Sequence, residues 1–132
     1  MFETTEQNLT QHLKYDLGIK PDDLVFLFSG IFGLGKLKNG LSTLESTISS
    51  VIPRGTLIVP TFSYSWSNGD SFDKNTACPE MGSFSNYVLS LPNYHRTNNP
   101  NFSVCIREND FNSNLVKSFL DISNDCFGEG SI

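Results

Sequence analysis

The chain has 132 residues, of which 38% are hydrophobic and 17% are charged, and its formal net charge is −5. This length and composition are typical of one folded globular domain and argue against a disordered chain. The net negative charge argues against nucleic-acid binding, which needs clustered Lys and Arg side chains. Cys78, Cys105 and Cys126 form no CxxC pair and leave an odd thiol, so neither a disulfide framework nor a zinc site is predicted.

The sequence carries no signal for export or membrane insertion. Residues 1–15 have neither the basic start nor the apolar run of a signal peptide, and no apolar stretch reaches the length of a membrane span. We therefore predict a cytoplasmic protein with reduced thiols, no bound metal and no membrane partner.

The first half of the chain predicts a helix followed by a βαβ unit. Leucines four residues apart, with a glycine just beyond them, predict an amphipathic helix over Thr5–Leu17. The apolar runs Leu24–Phe28 and Thr56–Val59 are typical of buried strands in parallel sheets. Between them, Leu41–Ile52 places its apolar residues on one helical face. Strand, helix and strand in this order favour a parallel pair with a right-handed crossover.

The second half predicts a long loop and three shorter elements. Pro60–Pro79 is rich in aromatic and small polar residues without a helical period, which indicates a long, functional loop. Ser83–Leu91 and Asn112–Ile122 are predicted helices, and Ser103–Ile106 is a predicted strand. Together the elements predict an α/β fold with an open, mostly parallel sheet and flanking helices, in a single domain over residues 1–132.

The segment from Phe28 to Gly35, FSGIFGLG, follows a predicted strand and precedes a predicted helix. Its glycines would let backbone N–H groups approach an anion, and the start of the helix near Gly40 would add its positive end. The glycine spacing matches neither the Walker motif nor GxGxxG. From residue types alone, a phosphate cradle and a simple turn both stay open.

Thr61 and Ser63 follow the second predicted strand, at the end where ligands bind in open α/β sheets. Their hydroxyls are candidate ligand contacts, and a purely structural role for this segment is equally compatible with the sequence. His12 and His95 lack a sequence partner that would make either one a general base. We predict a solvated His12 and a surface or hydrogen-bonding role for His95.

Six short motifs occur in a distinctive order along nearly the whole chain. They are LGIKPDD with Val25, the loop Ser29–Gly35, GTLIVPTF at 55–62, the loop with Phe72, Asp73, Thr76 and Gly82, the segment with Arg96, Thr97, Pro100, Ser103 and Val104, and finally Phe127, Gly128 and Ser131. Together they resemble the aminoglycoside 3-N-acetyltransferase family, acetyl-CoA-dependent enzymes that acetylate amino groups on sugars. The order of the motifs carries more weight than any single match.

The resemblance implies an α/β acyltransferase with acetyl-CoA as co-substrate. It implies cofactor-binding roles for Ser29, Gly30, Ile31 and Gly35 in the CoA loop, with Thr61 near the thioester. An amine reacts as a neutral nucleophile, so the reaction needs a general base and donors that stabilise an oxyanion. In the family this base is a histidine in a motif that lies beyond the region matched here, and no catalytic residue is assigned. We therefore expect the N-terminal half of a larger acetyltransferase domain.

The chain departs from the family pattern at four positions. Phe28 and Gly30 stand where His and Ser are common, Gly33 replaces another serine, and Asn99 occupies the place of a histidine, so no catalytic role is carried over to it. The main hypothesis is N-acetylation of an aminoglycoside or amino-sugar amine, in antibiotic resistance or surface-polysaccharide biosynthesis, by a chain that is incomplete alone. The alternative is a non-catalytic remnant or interaction module. Its truncated sheet would expose an apolar edge or face for a partner or for self-association.

Overall fold

The computed structural model describes residues 3–63, 69, 71–99 and 101–122. Tyr64 and Trp66 of the predicted loop, Pro100, Cys126 and the last motif at 127–131 lie outside these described residues. In chain order the elements are β1 (Glu3–Thr4), α1 (Glu6–Gln11) with a π-helical continuation (His12–Asp16), β2 (Leu24–Phe26), a 3-10 turn (Ile31–Leu34), β3 (Lys36–Leu37), α2 (Leu41–Val51), β4 (Thr56–Pro60), α3 (Ser83–Leu89), β5 (Tyr94–Arg96), β6 (Val104–Arg107) and α4 (Ser113–Ile122).

The four predicted helices are confirmed, with small differences at their ends. The first one stops at Asp16, and Gly18 follows with a φ of +69°, a conformation that glycine favours at helix ends. The apolar faces of α1, α2 and α3 pack into one core. Leu17, predicted on the apolar face of the first helix, is instead 60% exposed. None of the described helices is long and apolar enough to cross a bilayer.

A four-stranded sheet with the order β2-β4-β6-β5 forms the centre of the fold, and β1 and β3 form a separate parallel pair. β2 and β4 are parallel, as the strand–helix–strand order predicts, whereas β6 is antiparallel to both β4 and β5. The α/β class and the open sheet are confirmed, but the pairing is mixed rather than mostly parallel. The reason is the connection between β5 and β6, residues 97–103, which is too short for the parallel crossover of a dozen or more residues.

The strand register separates two hydrophobic clusters on opposite faces of the sheet. The face that packs against α1, α2 and α3 consists of Val25, Leu27, Leu57, Val59 and Cys105. The face that packs against α4 consists of Ile58, Val104 and Ile106. Residues paired in register point to the same side of a sheet. Because Phe26 pairs with Ile58, Phe26 of β2 lies on the α4 face.

Gly55 fixes the start of β4 against the segment that precedes β2. A Cβ at Gly55 would lie 2.2 Å from the carbonyl oxygen of Asp23, which is closer than a real contact allows. The same carbonyl accepts a hydrogen bond of 3.1 Å from the amide of Thr56. Glycine at this position of the GTL motif therefore lets β4 align with β2.

Candidate functional site

A small cavity lies where the carboxyl ends of the parallel strands β2 and β4 meet. Its volume is about 240 Å³, and it is lined by Phe28, Ser29, Gly30, Pro60 and Met81. Ligands of open α/β sheets bind at this end of parallel strands. The structure thus brings two of the predicted cofactor-binding residues, Ser29 and Gly30, to one cavity with three residues that sequence reasoning did not assign to cofactor binding.

Hydrogen bonds fix the cavity wall that Pro60 and Met81 form. The hydroxyl of Ser85, in the first turn of α3, donates to the carbonyl of Pro60 at 2.7 Å. The amide of Glu80 donates to the carbonyl of Phe62 at 2.8 Å, which holds the segment before Met81 against the end of β4. The wall is therefore tied to the sheet from two sides.

The loop after β2 presents an open backbone at Gly30. A Cβ on Gly30 or Gly33 would meet no described atom within 4 Å, so packing requires glycine at neither position. Gly35 differs, because its φ of +69° strains any residue with a side chain. Ile31 is half-buried and packs against the larger core. Ile31 and Gly35 are not among the lining residues, and their role in cofactor binding stays a prediction.

The start of α2 lies at a different cavity. Gly40 precedes the helix with a φ of +71° and no side-chain cap. The cavity there has a volume of about 330 Å³ and is lined by Thr5, Glu6, Gln7, Lys38, Asn39 and Thr43. The sequence predicts the positive end of this helix at the glycine loop, but the start of the helix and Ser29 line two separate cavities.

Thr61, the first residue after β4, is fully buried in a polar cluster. Its amide donates to the carbonyl of Ser103 at 2.9 Å, and the two hydroxyl oxygens lie 3.1 Å apart. Cys105 is a neighbour, and burial raises the pKa of its thiol to about 12, so the thiol is protonated at neutral pH. Thr61 is not among the cavity's lining residues, and its place near a thioester stays a prediction.

Arg96 lies in this polar cluster, and sequence reasoning did not identify its role. Its guanidinium donates to the carbonyl oxygens of Thr61, Lys74 and Ala77 and to the hydroxyl of Ser103. The group also lies 5.4 Å from the centre of the Phe72 ring, within cation–π range. Burial lowers the pKa of Arg96. The hydrogen bonds of Arg96 thus hold the loop around residues 72–77 against the ends of β4 and β6. The signal for this role in the sequence is an arginine that lies between two hydroxyl-rich segments, one after β4 and one before β6.

Asn99, which stands in the place of the family's histidine, has a structural role in the turn between β5 and β6. Its side chain is fully buried, and its Oδ1 accepts hydrogen bonds from the amides of Asn101 at 3.1 Å and Phe102 at 2.9 Å. These bonds stabilise the turn that joins the two strands.

Both histidines have carboxylate partners away from the cavity. His12 Nδ1 lies 2.6 Å from Asp16 Oδ2 on an exposed surface, and His95 Nε2 lies 3.4 Å from Glu108 Oε1. The predicted surface positions are confirmed. Within the described ranges, no group of three or more His, Cys, Asp or Glu residues is arranged to hold a metal ion.

A comparison with known protein families identifies the family of this chain. A family model described as aminoglycoside 3-N-acetyltransferase matches residues 28–113, which is more than half of the chain. The chain belongs to the aminoglycoside 3-N-acetyltransferase family. The resemblance found in the sequence motifs is thereby confirmed. A comparison with curated protein sequences gave no match.

Several solved structures share the fold at low sequence identity. The YokD protein from Bacillus subtilis superposes with a TM-score of 0.74 at 21% identity, over 97% of this chain and 58% of that one. AAC-IIIb in a binary complex with CoASH gives a TM-score of 0.77 at 20% identity, over 98% and 54%. Sisomicin-bound AAC-VIa gives 0.67 at 22% identity, over 83% and 48%. The chain therefore spans about half the length of these solved structures.

Proposed function

We propose that this chain supplies the cofactor side of an acetyl-CoA-dependent N-acetyltransferase that acts on an amine of an aminoglycoside or an amino sugar. Membership of the family supports the class of reaction. The observation that carries the proposal is the open backbone of Gly30 beside Ser29, at the carboxyl ends of two parallel strands. Relatives with this fold were solved with CoASH and with sisomicin. The proposal includes a cytoplasmic location, because acetyl-CoA is available there.

The cavity suits one end of acetyl-CoA rather than the whole molecule. It combines the apolar side chains of Phe28 and Met81 with the hydroxyl of Ser29, a mixture typical of small-molecule sites. Its volume of about 240 Å³ is below the roughly 300–1,000 Å³ of most ligand pockets. We infer that the described residues form one part of the cofactor site.

Acetyl-CoA supplies an activated acetyl group to the amine. In the proposed reaction, Ser29 and the backbone N–H of Gly30 are the candidate donors toward the thioester end, because they line the cavity. The ammonium of the substrate must lose a proton before it attacks, and neither His12 nor His95 lines the cavity. We propose that the base comes from outside the described residues and that the 132-residue chain alone does not turn over.

Calorimetric titration with acetyl-CoA tests the cofactor assignment. Gly30→Leu places a side chain in the cavity, and we expect it to weaken binding at least about tenfold, or 1.4 kcal/mol. Gly33→Leu is the matched control, because Gly33 also has open space around its Cβ position but does not line the cavity. We expect Gly33→Leu to bind acetyl-CoA like the unmodified chain.

Two results would reject the cofactor assignment. One is no binding by the unmodified chain at millimolar acetyl-CoA, and the other is equal weakening by both glycine variants. Acetylation of kanamycin or of an amino-sugar nucleotide by the purified 132-residue chain would instead show that it needs no base from elsewhere.

A further inference from the structure

One side of β2 is apolar and uncovered. Leu24, Phe26 and Phe28 are 54%, 38% and 60% exposed, respectively, although the strand belongs to the central sheet. We call these three residues the β2 surface. Phe26 shares a face with Ile58, which is 2% exposed beneath α4. The same face of the sheet is therefore covered at β4 and β6 but open at β2.

Aromatic contacts extend the β2 surface across the end of the sheet. The rings of Phe26 and Phe28 are stacked with centroids 5.1 Å apart, and Phe28 meets Phe62 edge-on at 6.3 Å. Phe62 in turn meets Phe102 at 5.3 Å. Phe62 and Phe102 are half-buried, so the β2 surface continues as one row of apolar contacts around the end of the sheet, and contiguous apolar surface of this kind is used at interaction sites.

The outer edge of β2 is also free for pairing. Within the described part of the chain, β2 pairs only with β4 and forms the end of the sheet. Residues 24–28 contain no charged residue and no proline, which are the features that natural proteins use to block edge pairing. The strand thus offers both an apolar face and unpaired backbone groups to an additional segment.

We propose that the β2 surface is the contact for the second half of the acetyltransferase fold, carried by the same polypeptide. The superposition with YokD accounts for 97% of this chain but 58% of YokD, so the relative contains a large segment without a counterpart here. A covering segment that adds a strand to β2 and an apolar layer over Phe26 and Phe28 fits this surface. The inference rests on the family's longer fold and not on the cofactor assignment.

The exposed area distinguishes this occupant from a second copy of the chain. The exposed fractions of Leu24, Phe26 and Phe28, which are 54%, 38% and 60%, add up to about one and a half large apolar side chains, roughly 200–350 Å². A stable complex between separate proteins buries about 800 Å² on each partner. This surface is too small to overcome the entropy lost when two free chains associate, whereas a covalently joined segment loses far less.

Phe28 connects the β2 surface to the candidate site. It belongs to the exposed apolar row and also lines the cavity with Ser29 and Gly30. A segment docked on the β2 surface would therefore lie beside the cavity and enlarge it. This position accounts for the small volume of the cavity in the described residues.

Photocrosslinking of the protein expressed from its native reading frame tests the proposal. The photoreactive residue p-benzoylphenylalanine is placed at position 28 and, in a second variant, at position 24. The control variant carries it at position 15, because Tyr15 is 79% exposed and lies on the π-helical continuation of α1, which packs on the opposite face of the sheet from Phe26. Crosslinked peptides are then identified by mass spectrometry.

We expect positions 24 and 28 to crosslink, within one polypeptide, to a segment outside residues 1–132 that aligns with the unmatched part of YokD, and position 15 not to. Crosslinks between two copies within residues 1–132, crosslinks to an unrelated chain, or reaction only with near neighbours such as Phe62 would each overturn the proposal. The readout does not involve acetyl-CoA. A failure of the cofactor assignment would therefore leave this result unchanged.

Discussion

The two parallel strands β2 and β4 end side by side, but the segments that follow them are built differently. After β2, Gly30 is exposed and has free space where a side chain would be. After β4, Thr61 is fully buried and hydrogen-bonded to Ser103. Both segments are rich in glycine or hydroxyl residues and look equally functional in sequence. Burial separates them: the β2 segment is open to a ligand, and the β4 segment is closed by protein contacts.

The closed segment depends on Arg96, so its replacement is expected to have the largest effect. Arg96→Met removes the guanidinium donor from the partly buried carbonyls of Lys74 and Ala77 and one of the two donors to the buried carbonyl of Thr61, which also accepts from the hydroxyl of Ser103. We expect a loss of about 3 kcal/mol in the free energy of unfolding. Arg96→Lys keeps the charge but lacks the planar fork, so it should recover little of that loss. Urea denaturation measures both variants.

The control for Arg96 is Arg54→Met. Arg54 also bonds a partner, with Nε 2.7 Å from Asp22 Oδ1, but this ion pair is exposed. Exposed ion pairs contribute little to stability, so no measurable change is expected. Equal stability losses at Arg54 and Arg96 would contradict the assignment of Arg96 as a buried clamp.

Two glycine substitutions compare a crowded position with an open one. Gly55 lies before β4 against the carbonyl of Asp23, and Gly33 lies in the loop after β2 with free space around it. Gly55→Ala forces a methyl group against the carbonyl of Asp23, and we expect it to destabilise the fold by about 1–3 kcal/mol. Gly33→Ala meets no described atom within 4 Å and should be neutral or stabilise the fold by about 0.4–1 kcal/mol. Thermal unfolding followed by circular dichroism measures the two. Similar losses for both would show that the loop is not open at Gly33.

Alkaline pH tests the burial of Cys105, which lies on β6 beside Thr61 of the closed segment. Burial raises its pKa from 9.0 to about 12, so the folded state prefers the protonated thiol. The protonated thiol of Cys105 contributes to the free energy of unfolding in full below pH 9. This contribution is lost as the pH rises toward 12, at up to about 1.4 kcal/mol per pH unit. Burial also raises the pKa of Tyr94, so its contribution to stability is likewise lost at alkaline pH. Cys105→Ser should therefore show a shallower loss of stability between pH 8 and 10 than the unmodified chain.

Thiol labelling gives an independent measure of the same burial. Cys78 is exposed and Cys105 is buried, so iodoacetamide at pH 8 should label Cys78 in the folded protein and Cys105 only after unfolding. Labelling of Cys105 at the rate of Cys78 would show that the segment after β4 opens readily.

The helices and the strands β2, β4 and β6 were predictable because each has a clear period or a buried apolar run. The face of α2 with Leu44, Ile48 and Val51 is the clearest case, and all three are buried. β5 was not predicted, because its three residues, Tyr94, His95 and Arg96, lack an apolar pattern. Its antiparallel pairing follows from a short turn that Asn99 stabilises, and sequence periodicity contains no sign of that pairing.

The candidate site was predictable in part. Ser29 and Gly30 follow a predicted strand, and they do line a cavity at the sheet end. The contribution of Met81 was not predictable, because it depends on a hydrogen bond between Glu80 and Phe62 across the loop. Such long-range contacts leave no local pattern in a single sequence.

Thr47 offers the smallest test of the principle that makes Arg96 important. Its hydroxyl, in the middle of α2, is buried and has no hydrogen-bond partner among the described residues, whereas the hydroxyl of Thr43 donates to the carbonyl of Lys38. Thr47→Val removes an unpaired polar group at nearly constant shape and should stabilise the fold by up to about 1 kcal/mol. Thr43→Val should destabilise it by about the same amount, because a hydrogen bond is lost. If urea denaturation gave both variants the same sign, hydrogen-bond satisfaction would not govern these buried hydroxyls, and the explanation of Arg96 would need another physical cause.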